Sequence, residues 1–573
     1  MLKKQSVMLF VSFAFVNFAV AQVAPRWITR HNPFPRRDSF VEAMYVDSSG
    51  NTYLAGYTLE ESIGYYYHGV VAKFDSDGRQ LWSVEGARGA VNALSVDDSG
   101  YVFTAGWELD QDGETLHSLT VKYDTNGNKL WEGRYTNPFG YDEEGDLIGT
   151  DSMGNVYVGG RGNDQNGRAR GRLMKYSPDG QRLWVHSVFG PGPITAMKVT
   201  STGNIYAVGD AGEAIEITQF DSQGSLVWFD YYISDVLTAR SFAAALDRDG
   251  DLYVAGYSAW DQSSWSDYAV LKYGGGGGRQ WVGRYDGPAH ERERATMIVV
   301  DSNKNVYVTG RSENEQQREE IATVKFDPSG QLIWSARYGI PDSANGPTGI
   351  VLDHQNNVVV TGGAGWSNAT LKYDASGNRL WLARYRGKNG TDGWARAVGV
   401  DAVGSIYVVA GSASGRPLVA DLIKYVPAVP PTTFEVVRGS VKRGSLAELA
   451  LPDDEYLVTR DKISDRTVAI LVTAISPIKN PVSLVVDLES SSEQGGPIQS
   501  IEMWDFTKSA YVTVDTRRTR PWDSTAIVET SSPARFVDPS SGEIRARLTW
   551  ILDRPTITPY WELRVDQVAW IVN

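Results

Sequence analysis

Apolar and polar residues alternate with a period of two along most of the chain, in short runs separated by Gly, Asp, Asn and Ser. This alternation predicts half-buried β-strands joined by tight turns, and no 3.6-residue period competes with it beyond the first twenty or so residues. The segment AMYVDSSGNTYLAG at 43–56 shows the plan: an apolar strand ending in Asp47, a Ser/Gly/Asn turn, then an aromatic strand. The segment VAKFDSDGRQLW at 71–82 continues it with Lys73, an Asp/Gly turn and Trp82. Each unit therefore holds four strands, a (AMYVD), b (NTYLAG), c (VVAKFD) and d (RQLWS), which is the content of one propeller blade.

The unit returns at marker positions Asp47, Asp97, Asp151, Ser201, Asp247, Asp301, Asp353 and Asp401, spaced 46 to 54 residues apart. The strand c lysine recurs at 73, 122, 175, 272, 325, 372 and 424, with Gln219 in its place once, and Trp follows at 82, 131, 184, 228, 281, 334 and 381. Periods of this size belong to propellers and solenoids. The last unit breaks off at Lys424-Tyr425, without a Trp strand, whereas Trp27, Arg30 and His31 near the chain start match the Trp-x-x-Arg-Tyr pattern of Trp131, Arg134 and Tyr135. The reading is an all-β fold in which residues 22–428 form an eight-bladed β-propeller closed by the N-terminal strand, since a ring gains hydrogen bonds for an edge that a solenoid leaves open. Units of the form VDxxGNxYVxG followed by KYDxxGxxLW resemble a bacterial extracellular β-propeller repeat family. That resemblance covers 22–428 and implies the fold and export, while the activity it implies is mostly undefined.

Pro427, Pro430 and Pro431 mark the end of the repeats. About eight further alternating segments, among them TVAILVTAIS, IEMWDF and WELRVDQVAWIV, predict a jelly-roll-like β-sandwich over 429–573 that serves as an accessory domain. At the other end, Lys3 and Lys4 precede an apolar run from Val7 to Val20 that closes in Ala19-Val20-Ala21. This is the pattern of a signal peptide over 1–21, too short to span a membrane, and it predicts a secreted, periplasmic or cell-surface protein cleaved near Ala21. A formal charge of −14 argues against a nucleic-acid partner. The absence of cysteine excludes disulfides, thiolate metal sites and a catalytic thiol.

The a–b and c–d turns emerge on one side of each blade and are nearly invariant, as turns that need Gly or Asn at positive φ must be. The b–c and d–a connections emerge on the other side and vary in length and content, which is where binding is usually placed. They are acidic and aromatic, and the candidate ligand-binding residues are Tyr66, Tyr67, His68, Trp107, Trp260, Trp265, Trp366 and Trp394. Ring faces beside carboxylates suit a glycan or an extracellular protein. His68 and His117 occupy equivalent positions in neighbouring units, but two ligands do not make a metal site, and none is assigned. Asp247, Asp249 and Asp251 have the spacing of a calcium loop, so calcium is the one cofactor considered. The recurring strand c lysines read as scaffold, because sites break a repeat that scaffolding obeys.

The residues favour a non-catalytic binding or scaffold protein. Two alternatives stay open. An eight-bladed ring with a Trp in each blade resembles quinone-dependent alcohol dehydrogenases, although the vicinal cysteines of many such enzymes are absent; a polysaccharide lyase or hydrolase would use acids of the variable loops. A structural cell-envelope protein would bind no saturable ligand.

Overall fold

The computed structural model describes residues 22–31, 38–60, 66–110, 113–188, 192–234, 238–259, 266–340, 343, 345–365, 367–385, 393–412, 419–446, 449, 457–462, 466–492, 496–519, 524–552 and 560–572. Among them the protein is built of β-strands, with a 3₁₀ turn at Pro533–Phe536 and no helix long and apolar enough to cross a membrane.

Up to residue 428 the strands form antiparallel four-strand meanders in chain order. The first consists of Asp38–Val46, Thr52–Glu60, Tyr66–Phe74 and Gln80–Val96, and that 17-residue fourth strand continues without a loop into the second meander. The innermost strands pack in a series, Glu144–Thr150 against Gln80–Val96, Ile194–Val199 against Glu144–Thr150, and so on to Gly393–Val400, which lies against Asp38–Val46. The series thus returns to its start, the arrangement of a β-propeller. The sheet of Gly393–Val400, Ile406–Ser412 and Val419–Ala428 takes its fourth strand from the chain start: Gln22–His31 runs antiparallel to Val419–Ala428, from Gln22 opposite Ala428 to His31 opposite Ala420.

The repeated residues explain themselves locally. Asp47 accepts hydrogen bonds on Oδ1 from the N–H groups of Ser49 and Asn51, both at 2.9 Å, and on Oδ2 from the Asn51 side chain at 2.8 Å. Asp151, Asp301 and Asp353 repeat this turn. In the fourth unit the position belongs to Thr200 and not to Ser201: the Gly203 N–H bonds the Thr200 carbonyl as that of Gly50 bonds Asp47, and Thr200 Oγ1 accepts from the Asn204 N–H at 2.9 Å. A hydroxyl there does the carboxylate's work, and the adjacent serine hides the register.

Strand c lysines and strand d tryptophans tie sheets to their neighbours, although Lys272 and Lys372 pair with Asp251 and Asp353 of their own sheets. Lys325 Nζ lies 5.1 Å from the Tyr307 ring centre and donates to the Ala375 carbonyl at 2.9 Å, and Trp334 Nε1 donates to the same carbonyl at 3.2 Å. Lys122 and Trp131 share the Pro178 carbonyl in the same way. At the ring closure the lysine contact recurs: Lys424 Nζ donates to the Ser76 carbonyl at 3.2 Å, and Thr29 Oγ1 donates to the Gly78 carbonyl at 2.8 Å.

Beyond 428 lie two five-stranded sheets. One runs Thr433–Arg438, Thr467–Ile475, Glu543–Ile551, Ile498–Asp505, Ala510–Arg518; the other Ser440–Arg443, Leu457–Lys462, Tyr560–Val572, Leu484–Ser492, Ser524–Glu529. Both feed one core, with Ile470, Leu548 and Trp550 from the first and Val486, Leu563 and Trp570 from the second. The core is docked on the ring by paired backbone bonds between Val429 and Trp570, at 2.7 and 3.1 Å, and by Arg26 Nη1 to Ser483 Oγ at 3.0 Å.

Two outcomes follow. Gly330 sits at φ +86° with its Cα under Trp281, where a Cβ would stand 2.7 Å from the indole; Gly278 has open space around it. G330A is expected to lose about 1–3 kcal/mol in urea denaturation and G278A to stay within about 0.5 kcal/mol. Asp487 is fully buried, neither carboxylate oxygen has a hydrogen-bond partner, and burial pushes its pKa up to about 8. A folded-state pKa raised above the unfolded one gives a contribution that is complete below about pH 3.8 and is lost as pH rises through 8. The melting temperature of D487N relative to wild type should therefore climb between pH 4 and 8; a constant difference would contradict this.

Candidate functional site

Four of the eight residues singled out from sequence meet at one place, on the loop-bearing side where the first and second sheets adjoin. Tyr67 lies edge-on to Trp107 with ring centres 5.6 Å apart and 5.4 Å from Tyr57, which stacks on Phe40 at 4.9 Å. The result is a row of four half-buried rings running across both sheets. Tyr66 carries the Arg88 guanidinium over its ring at 4.5 Å, and His68 Nδ1 is 3.2 Å from Glu85 Oε1. Burial raises the Tyr57 phenol pKa, with the nearby Glu42 adding to it, so Tyr57 offers a neutral hydroxyl.

Beside this row the repeat is broken. Strand d ends in Tyr135, Tyr232, Tyr285, Tyr338 and Tyr385 in other sheets, but in the first sheet Trp82-Ser83-Val84 is followed by Glu85-Gly86. The partner strand is altered too: where the fifth sheet has Tyr268 opposite Tyr285, the first has Gly69, and the pairing slips by a bulge, with Val70 opposite Glu85 but His68 opposite Arg88. Bulges re-aim side chains and interrupt pairing. The missing rings leave a cavity of about 220 Å³, walled by Val71, Val84, Val91, Thr104, Leu119, Val121, Tyr123 and Trp107 and floored by Gly69, Gly86, Gly89 and Gly106. Glu85 and Glu132 line it as well, the latter paired with Lys129 at 2.6 Å. Because Gln80–Val96 passes directly from one sheet to the next, no d–a loop lies over this space.

The remaining predicted residues are not brought to this place. Trp260, Trp265 and Trp366 fall outside the described residues, and Trp394 is described only by its backbone, opposite Gly411. His117, paired in register with Glu108, is buried in the second sheet, while His68 is engaged by Glu85. The Asp247, Asp249 and Asp251 carboxylates, whose spacing resembles a calcium loop, converge on the Lys304 ammonium at 3.3, 2.7 and 3.4 Å. Among the described residues, Asp267, Asp286 and Glu293 bring one carboxylate oxygen each within 4.8 Å of one another. Glu293 is fully buried, accepts a hydrogen bond from Ser312 Oγ at 2.9 Å and is pushed up to about 7 by burial.

Sequence reasoning missed Phe40, Tyr57, Glu85, Gly86 and Arg88. Two signals were present. The residue after the glycine of strand b is Tyr57, Trp107, Arg161, Asp210, Tyr257 and Arg311 in the first six units, a strand position that varies as the loops do. The Glu85-Gly86 departure from Trp-x-x-Arg-Tyr marks the first unit as the irregular one.

No family model matches the chain, and no curated protein matches it. Solved structures do. The Dos1 propeller is similar at 12% identity over 71% of this chain and 94% of its own, with a TM-score of 0.36. A eukaryotic initiation factor is similar at 12% identity over 62% and 90%, TM-score 0.33. A protein of unknown function from Bacteroides caccae is similar at 10% identity over 47% and 90%, TM-score 0.29.

Proposed function

We propose that residues 22–428 are an eight-bladed β-propeller closed by Gln22–His31, that 429–573 are a β-sandwich, and that the protein works after export and removal of residues 1–21. Its role in this reading is non-catalytic: it binds a glycan on the loop-bearing face, with an extracellular protein as the other partner that such a face would suit. The observation that carries the reading is the row Phe40, Tyr57, Tyr67 and Trp107, with successive ring centres 4.9 to 5.6 Å apart. A half-exposed aromatic row can cover the apolar face of a sugar ring, while Glu85, His68 and Arg88 beside it offer hydrogen bonds to hydroxyls. A polysaccharide-active enzyme is the second reading. It is favoured by the Asp267, Asp286 and Glu293 trio, in which burial holds one acid's pKa up at about 7 beside two other carboxyl groups, a contrast that acid and base roles can use.

A polysaccharide array followed by tryptophan-fluorescence titration tests the binding reading. Y67A is expected to weaken the best ligand about tenfold, the equivalent of about 1.4 kcal/mol. Absence of any glycan response, together with turnover that E293Q abolishes, would replace binding by catalysis.

A further inference from the structure

We propose that the cavity between the first and second sheets is a binding site for a monocyclic phenol. The equivalent space elsewhere in the ring shows what belongs in it. Between the fifth and sixth sheets it is filled by Tyr268 and Tyr285, ring centres 5.3 Å apart, and the Tyr268 hydroxyl donates to the Ala322 carbonyl at 3.1 Å. Between the third and fourth sheets, Gly171 corresponds to Gly69, but Val188 stands where Gly86 would and Ile194 closes in, leaving about 10 Å³. Only between the first and second sheets, among the described residues, do both positions lack a side chain, and there the space is about 220 Å³.

Size selects the occupant. An apolar cavity of about 150 Å³ accepts benzene, whereas pockets for drug-sized ligands run to about 300–1,000 Å³. This cavity therefore takes one substituted six-membered ring and excludes an oligosaccharide. Chemistry narrows it further. Val84, Val91, Leu119 and Val121 supply apolar walls and Trp107 an aromatic one, while Leu119 occupies the position of Ala322, whose carbonyl receives the tyrosine hydroxyl in the fifth sheet. An aromatic ring bearing one hydroxyl matches both features. Glycine at 86 is not required by the backbone, because an added Cβ would meet only the Gly69 carbonyl, at 3.5 Å. The gap is thus a property of the side chains and can be filled without refolding the strand.

The proposal goes beyond the glycan reading, since it concerns the space beneath the aromatic row, with which it shares Trp107 and Glu85 but not Tyr67. Its test is titration of the mature full-length protein with p-cresol, followed by Trp fluorescence and by thermal melting, in wild type, G86Y and Y67A. Wild type is expected to give a saturable response below about 10 mM, with 4-methylcyclohexanol at least about tenfold weaker. G86Y should melt at or above the wild-type temperature and lose the p-cresol response, while Y67A keeps it. Should G86Y not reach the folded state, G86V, which copies Val188, gives the same reading. No saturable response in wild type, an equal response to the saturated alcohol, or an unchanged response in a folded Gly86 variant would overturn the proposal. Loss of glycan binding in Y67A with p-cresol binding intact separates the two sites.

Discussion

At the best-defined joints of the ring, a backbone carbonyl in the neighbour's c–d turn receives both a lysine ammonium and an indole N–H. Lys325 and Trp334 on Ala375, and Lys122 and Trp131 on Pro178, are two instances. The lysine is also placed over a strand b aromatic ring, which favours a desolvated ammonium where water is sparse. The turn must come close beneath the indole, so its glycine takes positive φ and has no room for a Cβ, as at Gly180, Gly330 and Gly377. Where it forms, one contact therefore fixes four residue types. That is why Lys, Trp, Asp and Gly recur while almost everything on the opposite side varies.

A ring built this way is only as good as its last link. The final sheet has three strands of its own, and its open edge would leave the N–H and C=O groups of Val419–Ala428 unpaired. The strand Gln22–His31 covers them, and Lys424 and Thr29 then reach the first sheet's c–d turn from both sides of that pairing. Arg26 on the same strand also reaches Ser483 and Glu529 in the C-terminal sheets. The chain start thus joins ring closure to the docking of the C-terminal part, and its loss would loosen both.

The ring was legible in the sequence because its contacts are periodic: an Asp, a Lys and a Trp at fixed offsets are visible without coordinates. Where a different group met the same physical need, reading failed, as when Thr200 supplied the turn acceptor and Ser201 looked like the better match. The C-terminal sheets were harder. Ser440–Arg443 and Leu457–Lys462 are short pieces without a repeat to register them, and ten strands lie where about eight segments were read. At the site, Tyr66, Tyr67, His68 and Trp107 could be named from their loops, but their meeting with Tyr57 and Phe40 could not, since it depends on ring orientation across two sheets. The cavity was hidden for a related reason: it exists only because two glycines from adjacent strands coincide opposite the side chains of the next sheet.

That coincidence costs stability, and the amount bears on what it is for. An unfilled apolar cavity costs about 24 cal/mol per Å³, so 220 Å³ corresponds to at most about 5 kcal/mol, less to the extent that water enters. This is comparable to the whole net stability of many domains. A tyrosine at position 86 would recover part of it, as tyrosines do at the equivalent positions of five other sheets, and the backbone there would accept one. The same place also bears the bulge, the uninterrupted passage between sheets and the aromatic row. Four departures from the repeat that share one location, one of them costly, are what a site produces and what random drift of a scaffold does not.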